Sequence, residues 1–107
     1  MVFIPGSWDV KTADPVQVVK DFQSVMHHVH MKDFNGGPDF LGYCPLGQGK
    51  VNVAALVDLM ERSGNDIMIM VELDPNEGGR PMPMAPLETA RISKVYIEKM
   101  GYTFRPA

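Results

Sequence analysis

The spacing of hydrophobic residues along the chain predicts three amphipathic helices, over residues 14–24, 52–64 and 86–100. The first and third begin with a proline at an early helical position, and the second begins at an asparagine that can cap it. Glycines follow the second and third helices where a left-handed residue commonly ends a helix. The residues expected on the apolar stripes are Val16, Val19 and Phe22, then Val53, Leu56, Val57 and Met60, then Leu87, Ile92, Val95 and Tyr96.

Two continuous apolar segments predict strands over residues 25–31 and 67–73, and residues 1–4 fit a further short strand. Residues 67–71 are apolar at every position, which predicts a strand buried on both faces. Strands that alternate with helices across short helix-to-strand turns favour parallel pairing with right-handed crossovers. The predicted fold class is therefore α/β.

The connections are unequal in length, and the two long ones, residues 32–51 and 74–85, both follow strands. Long connections in small domains are commonly functional. The carboxyl ends of parallel strands lie at one edge of the sheet, where α/β proteins usually place their active sites. We therefore expect both loops beside His30 and Glu72, which end the two strands. Residues 5–13 and 102–107 are expected to be irregular.

Side-chain alternation places several polar groups together at this edge. In the first strand, Val29 and Met31 suit packing against helices, so the opposite face is expected to point inward. An imidazole, an ammonium and two carboxylates then converge where a divalent cation and a polyhydroxylated ligand could both bind. The inward sets are Met26, His28, His30 and Lys32 in the first strand and Met68, Met70, Glu72 and Asp74 in the second; Val25 and His27 join Val29 and Met31 on the helix-packing face.

Composition is typical of a single globular domain over residues 1–107, with 45% hydrophobic and 21% charged residues. The net charge of −3 and the scattered cations exclude the basic patch of a nucleic-acid-binding protein. No apolar segment approaches the length of a membrane span, so we expect no membrane partner. Cys44 is the single cysteine, which excludes an internal disulfide and, with the lack of an export signal, favours a cytoplasmic location.

Several ordered segments resemble the sugar phosphate isomerase/epimerase superfamily with the xylose isomerase-like TIM barrel, which includes inosose dehydratases and ketose 3-epimerases. The resemblance extends from about residue 14 to residue 104, and each segment alone is weakly specific. The matching segments are residues 28–33 with His28, His30, Lys32 and Asp33, residues 46–52 with Gly47, Gly49, Lys50 and Asn52, residues 70–74 with Glu72 and Asp74, and residues 86–88 with 93–101.

This resemblance implies a partial (β/α) barrel, formed by about three C-terminal βα units of eight. It implies that His30 and Glu72 are ligands of a divalent ion, Mn, Mg, Co or Zn, in a sugar isomerase, epimerase or dehydratase that stabilises an enediolate. Glu72 is also a candidate base, and Lys32 a candidate to neutralise oxyanion charge or contact substrate. Ser7, Trp8 and Asp74 are further candidates for substrate contacts, with a simple turn as the alternative role of Trp8.

The chain also departs from the family pattern. An aspartate ligand is replaced by Ile4 and an accompanying histidine by Ser7, while another ligand would lie before the first residue. A noncatalytic remnant or subunit that binds a sugar or a partner chain is therefore the alternative. Three βα units leave sheet edges open, so we expect a homodimer or a complementary barrel chain. The structural alternatives are a rim ion pair between Lys32 and Asp33 and a solvated strand end at Glu72.

Overall fold

The computed structural model describes residues 14–104, and these residues form a small α/β domain. The helices are α1 (Pro15–Phe22), α2 (Val53–Arg62) and α3 (Pro86–Lys99). The strands are β1 (His28–Met31), β2 (Asp33–Phe34), β3 (Tyr43–Cys44) and β4 (Met68–Val71). Short 3-10 turns lie at Gln23–Val25, Phe40–Gly42 and Glu77–Gly79. The predicted α/β class is confirmed.

Parallel pairing of β1 with β4 is the feature that organises the domain. The register places His28 beside Met68 and His30 beside Met70. A separate antiparallel pair joins β2 to β3 and lies within the first long connection. The prediction of parallel strands joined through a helix is thus confirmed for the two central strands.

The predicted starts of α1 and α2 are confirmed by side-chain caps. The Asp14 carboxylate accepts a hydrogen bond of 3.0 Å from the Val16 N–H group. The Asn52 side chain accepts one of 3.2 Å from the Ala55 N–H group. Each cap satisfies an N–H group that has no partner within its helix. Gly64 ends the α2 segment at φ +80°, as predicted.

The hydrophobic core lies between one face of the β1–β4 sheet and the helices, with α1 packed against α2. Val29 and Met31 project from β1 into this core, as the alternation of side chains predicted. Three of the four α2 stripe residues are at most 2% exposed, which fits an element held by its apolar face. The buried core residues are Val19, Met26, Val29, Met31, Leu46, Val53, Leu56, Val57, Met60 and Ile97.

The start of the first strand is three residues later than predicted. Val25 belongs to a 3-10 turn and is 65% exposed, so it does not pack on the helices. Met26 lies in the core rather than on the same face as His28. The alternation of side chains between the two faces of a strand begins only at His28, because the residues before it do not belong to the strand.

The prediction that β4 is buried on both faces is wrong for this domain. Met68 is 52% exposed and Met70 is 46% exposed, whereas Ile67, Ile69 and Val71 pack against the core. Among residues 14–104, helices cover only one face of this sheet, since α1 and α2 contribute residues to the core on that face. The methionine face therefore remains open in the part of the chain from 14 to 104.

The face that α3 turns inward matches the predicted stripe only in part, since Tyr96 packs against the core as predicted. Leu87 is 72% and Val95 is 42% exposed, and in α1 the predicted stripe residue Phe22 is 49% exposed. The Ser93 hydroxyl accepts a hydrogen bond of 3.1 Å from the Leu46 N–H group, which satisfies a buried polar group. This contact and the apolar contacts of Ile97 orient α3, and the residues that it buries are Thr89, Ser93 and Ile97.

Several predictions fall on residues that the structure does not describe. The predicted strand over residues 1–4, the loop over residues 5–13 and the candidate contacts Ser7 and Trp8 all lie outside residues 14–104. Residues 102–104 have no regular secondary structure, as predicted for the start of the tail. None of the helices within the described range is long and apolar enough to cross a membrane.

Candidate metal and substrate site

His30 and Glu72 are neighbours at the carboxyl ends of β1 and β4, as predicted. His30 Nδ1 lies 2.6 Å from Glu72 Oε2, although 42 positions separate the two residues. His30 pairs with Met70, and Glu72 lies two residues further, so both side chains emerge on one face. The Glu72 N–H group donates to the Met31 carbonyl at 3.2 Å, which extends the pairing to this point.

Lys32 continues the same row of charges with the predicted Asp74. Its Nζ donates to Asp74 Oδ2 at 2.6 Å and lies 3.6 Å from Glu72 Oε1. The same ammonium lies 4.8 Å from the centroid of the Tyr43 ring, within the range of a cation–π contact. Only 5% of Lys32 is exposed. The predicted group of imidazole, ammonium and two carboxylates is therefore assembled at one end of the sheet.

The carboxylates of Asp74 and Glu72 stabilise the positive charge of Lys32. Burial by itself lowers the pKa of the ammonium, but the hydrogen bond and charge of Asp74, with the charge of Glu72, outweigh burial. The net result is a pKa raised above the ordinary lysine value. Lys32 is thus a permanent cation at neutral pH, which suits the neutralisation of negative charge and excludes it as a base.

Asp33 is the most important polar residue whose role the sequence analysis did not predict. The alternative of a Lys32–Asp33 ion pair is wrong, because the fully buried Asp33 carboxylate binds backbone N–H groups instead. It accepts hydrogen bonds of 2.8 to 3.1 Å from four of them. These hydrogen bonds hold the long loop, residues 32–51, against the end of β1. The donors are the N–H groups of Phe34, Gly47, Gly49 and Val51.

Glycine is required where this loop approaches Asp33. A Cβ atom at Gly49 would lie 2.2 Å from Asp33 Oδ1 and 2.6 Å from the Phe34 carbonyl oxygen. Real Cβ contacts are not this short, and the second neighbour is backbone that cannot move aside. The glycines at 47 and 49, placed 14 and 16 residues after an aspartate that closely follows the first long strand, are the sequence signal for this arrangement.

The two long loops are also joined to each other, as expected from their position at one edge. The buried Asn76 side chain accepts from the Phe40 N–H group and donates to Asp39 at 3.2 Å and to the Pro81 carbonyl at 2.8 Å. The Arg80 guanidinium donates to the Pro38 carbonyl. These contacts hold the loops as one unit beside the charged group.

The donor set at His30 and Glu72 fits a divalent metal in type. An imidazole nitrogen and a carboxylate oxygen are ligands common to Zn and Mn, and the two side chains are 28% and 36% exposed. Within residues 14–104, however, no group of three or more His, Cys, Asp or Glu side chains is placed to hold a metal ion. The described residues therefore fit two ligands of a larger set, and the other ligands would come from elsewhere.

Neither the protein-family models nor the curated proteins compared with this sequence gave a match. The family resemblance consequently stays a prediction. His30, Lys32, Glu72 and Asp74 form the group of side chains whose geometry bears on function.

Cys44 is not a nucleophile in this site. Burial, with a contribution from the charge of Asp33, raises the pKa of its thiol to about 11. Because the thiolate is the reactive form, we expect iodoacetamide to modify folded Cys44 at least about tenfold more slowly at pH 8 than the same cysteine in urea. Mass spectrometry of timed samples measures both rates. Equal rates in the two states would contradict the buried, protonated thiol.

Proposed function

We propose that this chain is part of a sugar or sugar-phosphate isomerase or epimerase, or a related dehydratase, that uses a divalent metal ion. The observation that carries the proposal is the His30–Glu72 contact of 2.6 Å at the carboxyl ends of two parallel strands. Lys32 and Asp74 extend this pair into a row of alternating charge. Such a row offers both ligands for a cation and partners for several hydroxyl groups.

Each side chain has a role that its surroundings support. A metal bound by His30 and Glu72 would polarise the carbonyl and hydroxyl oxygens of the sugar. Lys32, fixed by Asp74 and cationic at neutral pH, would stabilise the oxyanion that develops when the α-proton leaves. Glu72 would act as the base that removes this proton, and Asp74 would accept a hydrogen bond from a substrate hydroxyl.

The proposal includes a partial (β/α) barrel that is completed by other chain segments. Its support is the methionine face of β4, where Met68 and Met70 are about half exposed. In a barrel this face would point into the packed interior. A homodimer, or a complementary chain with the remaining βα units, would cover the face and could supply the missing ligands.

Metal binding by variants tests the proposal directly. We expect His30→Ala and Glu72→Gln to weaken Co²⁺ binding at least about tenfold, because each removes one ligand. The matched control is His27→Ala, since His27 is exposed and precedes β1. The visible absorption of Co²⁺ gives the affinity, and elemental analysis with mass in solution gives the metal content of each assembly. A His30→Ala protein with unchanged Co²⁺ affinity would remove the proposed site.

The second candidate is a noncatalytic remnant or barrel subunit. It is favoured by the two-ligand set and by the close contact of Lys32 with Glu72, because a fixed ammonium 3.6 Å away opposes a second cation. This candidate predicts that the assembled protein exchanges no substrate proton. Incorporation of deuterium from D₂O into a ketose, followed by NMR, would exclude it.

A further inference from the structure

The open face of the β1–β4 sheet carries histidines on one strand and methionines on the other. The parallel register places His28 beside Met68 and His30 beside Met70. Paired residues of adjacent strands project from the same face, so these four side chains, the His/Met face, form two neighbouring rows. Met68 and Met70 are about half exposed and His28 is exposed. The His/Met face is therefore accessible to a small ion.

The methionines of β4 are confined to this face. Ile69 and Val71, on the opposite face, pack against the core and are β-branched, the type of residue that is most frequent in strands. Met68 and Met70 have flexible, unbranched side chains with a polarisable sulfur instead. The distribution of residue types thus sets two sulfur donors opposite two imidazoles.

The dimensions of the sheet allow these donors to share one ion. Adjacent strands are about 4.8 Å apart, and residues two positions apart along a strand are separated by about 6.6 Å. The centroids of the His28 and His30 rings are 5.0 Å apart. Because a methionine side chain has three rotatable bonds, either sulfur can reach an ion that is held at the two rings.

His30 already has a partner for one of its ring nitrogens. Its Nδ1 lies 2.6 Å from Glu72 Oε2, so an N–H group at Nδ1 donates to the carboxylate. Metal-binding histidines commonly donate their second N–H group to a carboxylate in this way, which leaves the lone pair of Nε2 for the metal. For an ion on the His/Met face, Glu72 therefore orients His30 and is not itself a ligand.

The donor types favour Cu⁺ over the harder divalent ions. Thioether sulfur is a soft ligand that selects Cu⁺, and imidazole also binds copper, whereas Mg²⁺ and Mn²⁺ prefer oxygen ligands. The Lys32 ammonium, 3.6 Å from Glu72 Oε1, favours low charge as well, because it repels a monovalent ion half as strongly as a divalent one. Cys44, the single cysteine, is 4% exposed and its thiol pKa is raised to about 11, so it competes poorly for the ion.

We propose that the His/Met face binds Cu⁺ through His28, His30, Met68 and Met70. This site goes beyond the proposed function, which uses neither methionine as a ligand and places a divalent ion at His30 and Glu72. Both ions need His30, so each excludes the other. A chain segment that covers the open face of the sheet competes with Cu⁺ in the same way.

Anaerobic competition with the Cu⁺ chelator bicinchoninate tests the site in the full chain. We expect the protein to remove Cu⁺ from the coloured chelator complex with a Kd in the micromolar range or tighter. The ¹³C signals of the Met68 and Met70 methyl groups should shift, whereas that of Met26, which is buried in the core, should not. Mass in solution, measured on the same samples, reports whether a second chain covers the face.

The double variant Met68→Leu with Met70→Leu removes both sulfurs at nearly constant volume. We expect its Cu⁺ affinity to fall at least about tenfold. Both positions are about half exposed, so the fold should be retained, which circular dichroism checks. The matched control is Met82→Leu with Met84→Leu, which changes two methionines of the same spacing in the second long loop. This control should leave Cu⁺ affinity unchanged.

Co²⁺ titration of the same proteins separates this inference from the divalent site. The change of Met68 and Met70 to leucine should leave Co²⁺ affinity unaltered, because neither sulfur is a ligand proposed for the divalent ion. Glu72→Gln should lower Co²⁺ affinity more than Cu⁺ affinity, since glutamine keeps an acceptor for His30 Nδ1.

Three results would overturn the Cu⁺ site. The first is failure of the protein to compete with bicinchoninate, whatever its mass in solution. The second is unchanged Cu⁺ affinity after loss of the Met68 and Met70 sulfurs. The third is an equal loss of affinity in the Met82 and Met84 control, which would place the ion elsewhere. Each result holds whether or not Co²⁺ binds to His30 and Glu72.

Discussion

Asp33→Ala is expected to lower the free energy of unfolding by about 3–5 kcal/mol, because hydrogen bonds to a charged group contribute about 1.5–3 kcal/mol each. Asp33 accepts four backbone hydrogen bonds and is fully buried. Its removal leaves N–H groups of the loop at 47–51 without partners. Since small domains are stable by about 5–15 kcal/mol, the variant should be partly unfolded at moderate temperature.

Urea unfolding followed by circular dichroism measures this effect. Asp58→Ala is the matched control, because Asp58 forms an exposed ion pair with Arg62 one helical turn away. We expect the control to change stability by no more than about 0.5 kcal/mol. If Asp33→Ala were as mild as Asp58→Ala, the four hydrogen bonds would not be holding the loop.

The comparison of Asp33 with Glu72 shows which parts of the site the sequence could predict. Glu72 meets His30 because both end apolar segments, and the ends of adjacent parallel strands must coincide. Asp33 accepts hydrogen bonds from Gly47 and Gly49 because the loop over residues 32–51 folds back against the end of β1. Strand periodicity specifies the first contact, whereas no periodic pattern describes a loop's path.

In the fold, too, features that depend on local contacts could be predicted, and features that depend on distant contacts could not. The caps of α1 and α2 depend on local hydrogen bonds, so Asp14 and Asn52 could be read directly from the sequence. The buried face of α3 depends on a distant partner, because Ser93 is oriented by the Leu46 N–H group 47 residues earlier. Exposure of Met70 likewise depends on whether another layer covers the sheet, which composition does not specify.

We expect removal of the Asp74 carboxylate to cause the second large loss of folding stability at the site. Lys32 is 6% exposed in its side chain and donates to Asp74 at 2.6 Å. Breaking such a pair from one side leaves a buried charge poorly compensated, and the usual cost is about 3–5 kcal/mol. Because Glu72 remains 3.6 Å from the ammonium, we expect Asp74→Ala to cost about 3 kcal/mol.

A double-mutant cycle separates this cost from simple loss of contacts. Lys32→Met removes the charge while keeping much of the side-chain volume, so we expect Lys32→Met with Asp74→Ala to be more stable than Asp74→Ala alone. The coupling energy should reach about 1.5–3 kcal/mol in urea unfolding. The exposed Asp58–Arg62 pair is the reference cycle, with an expected coupling of about 0.5 kcal/mol.

The pH dependence of the same cycle follows from the raised pKa of Lys32. A cation whose pKa is higher in the folded state stabilises the protein fully below the unfolded pKa of lysine, about 10.4, and loses that contribution as the pH rises through the folded value. The coupling with Asp74 should therefore be constant near neutral pH and decline only in strongly alkaline solution. A decline already near pH 8 would mean that burial outweighs the two carboxylates. Lys32 would then be the proton acceptor that we have excluded.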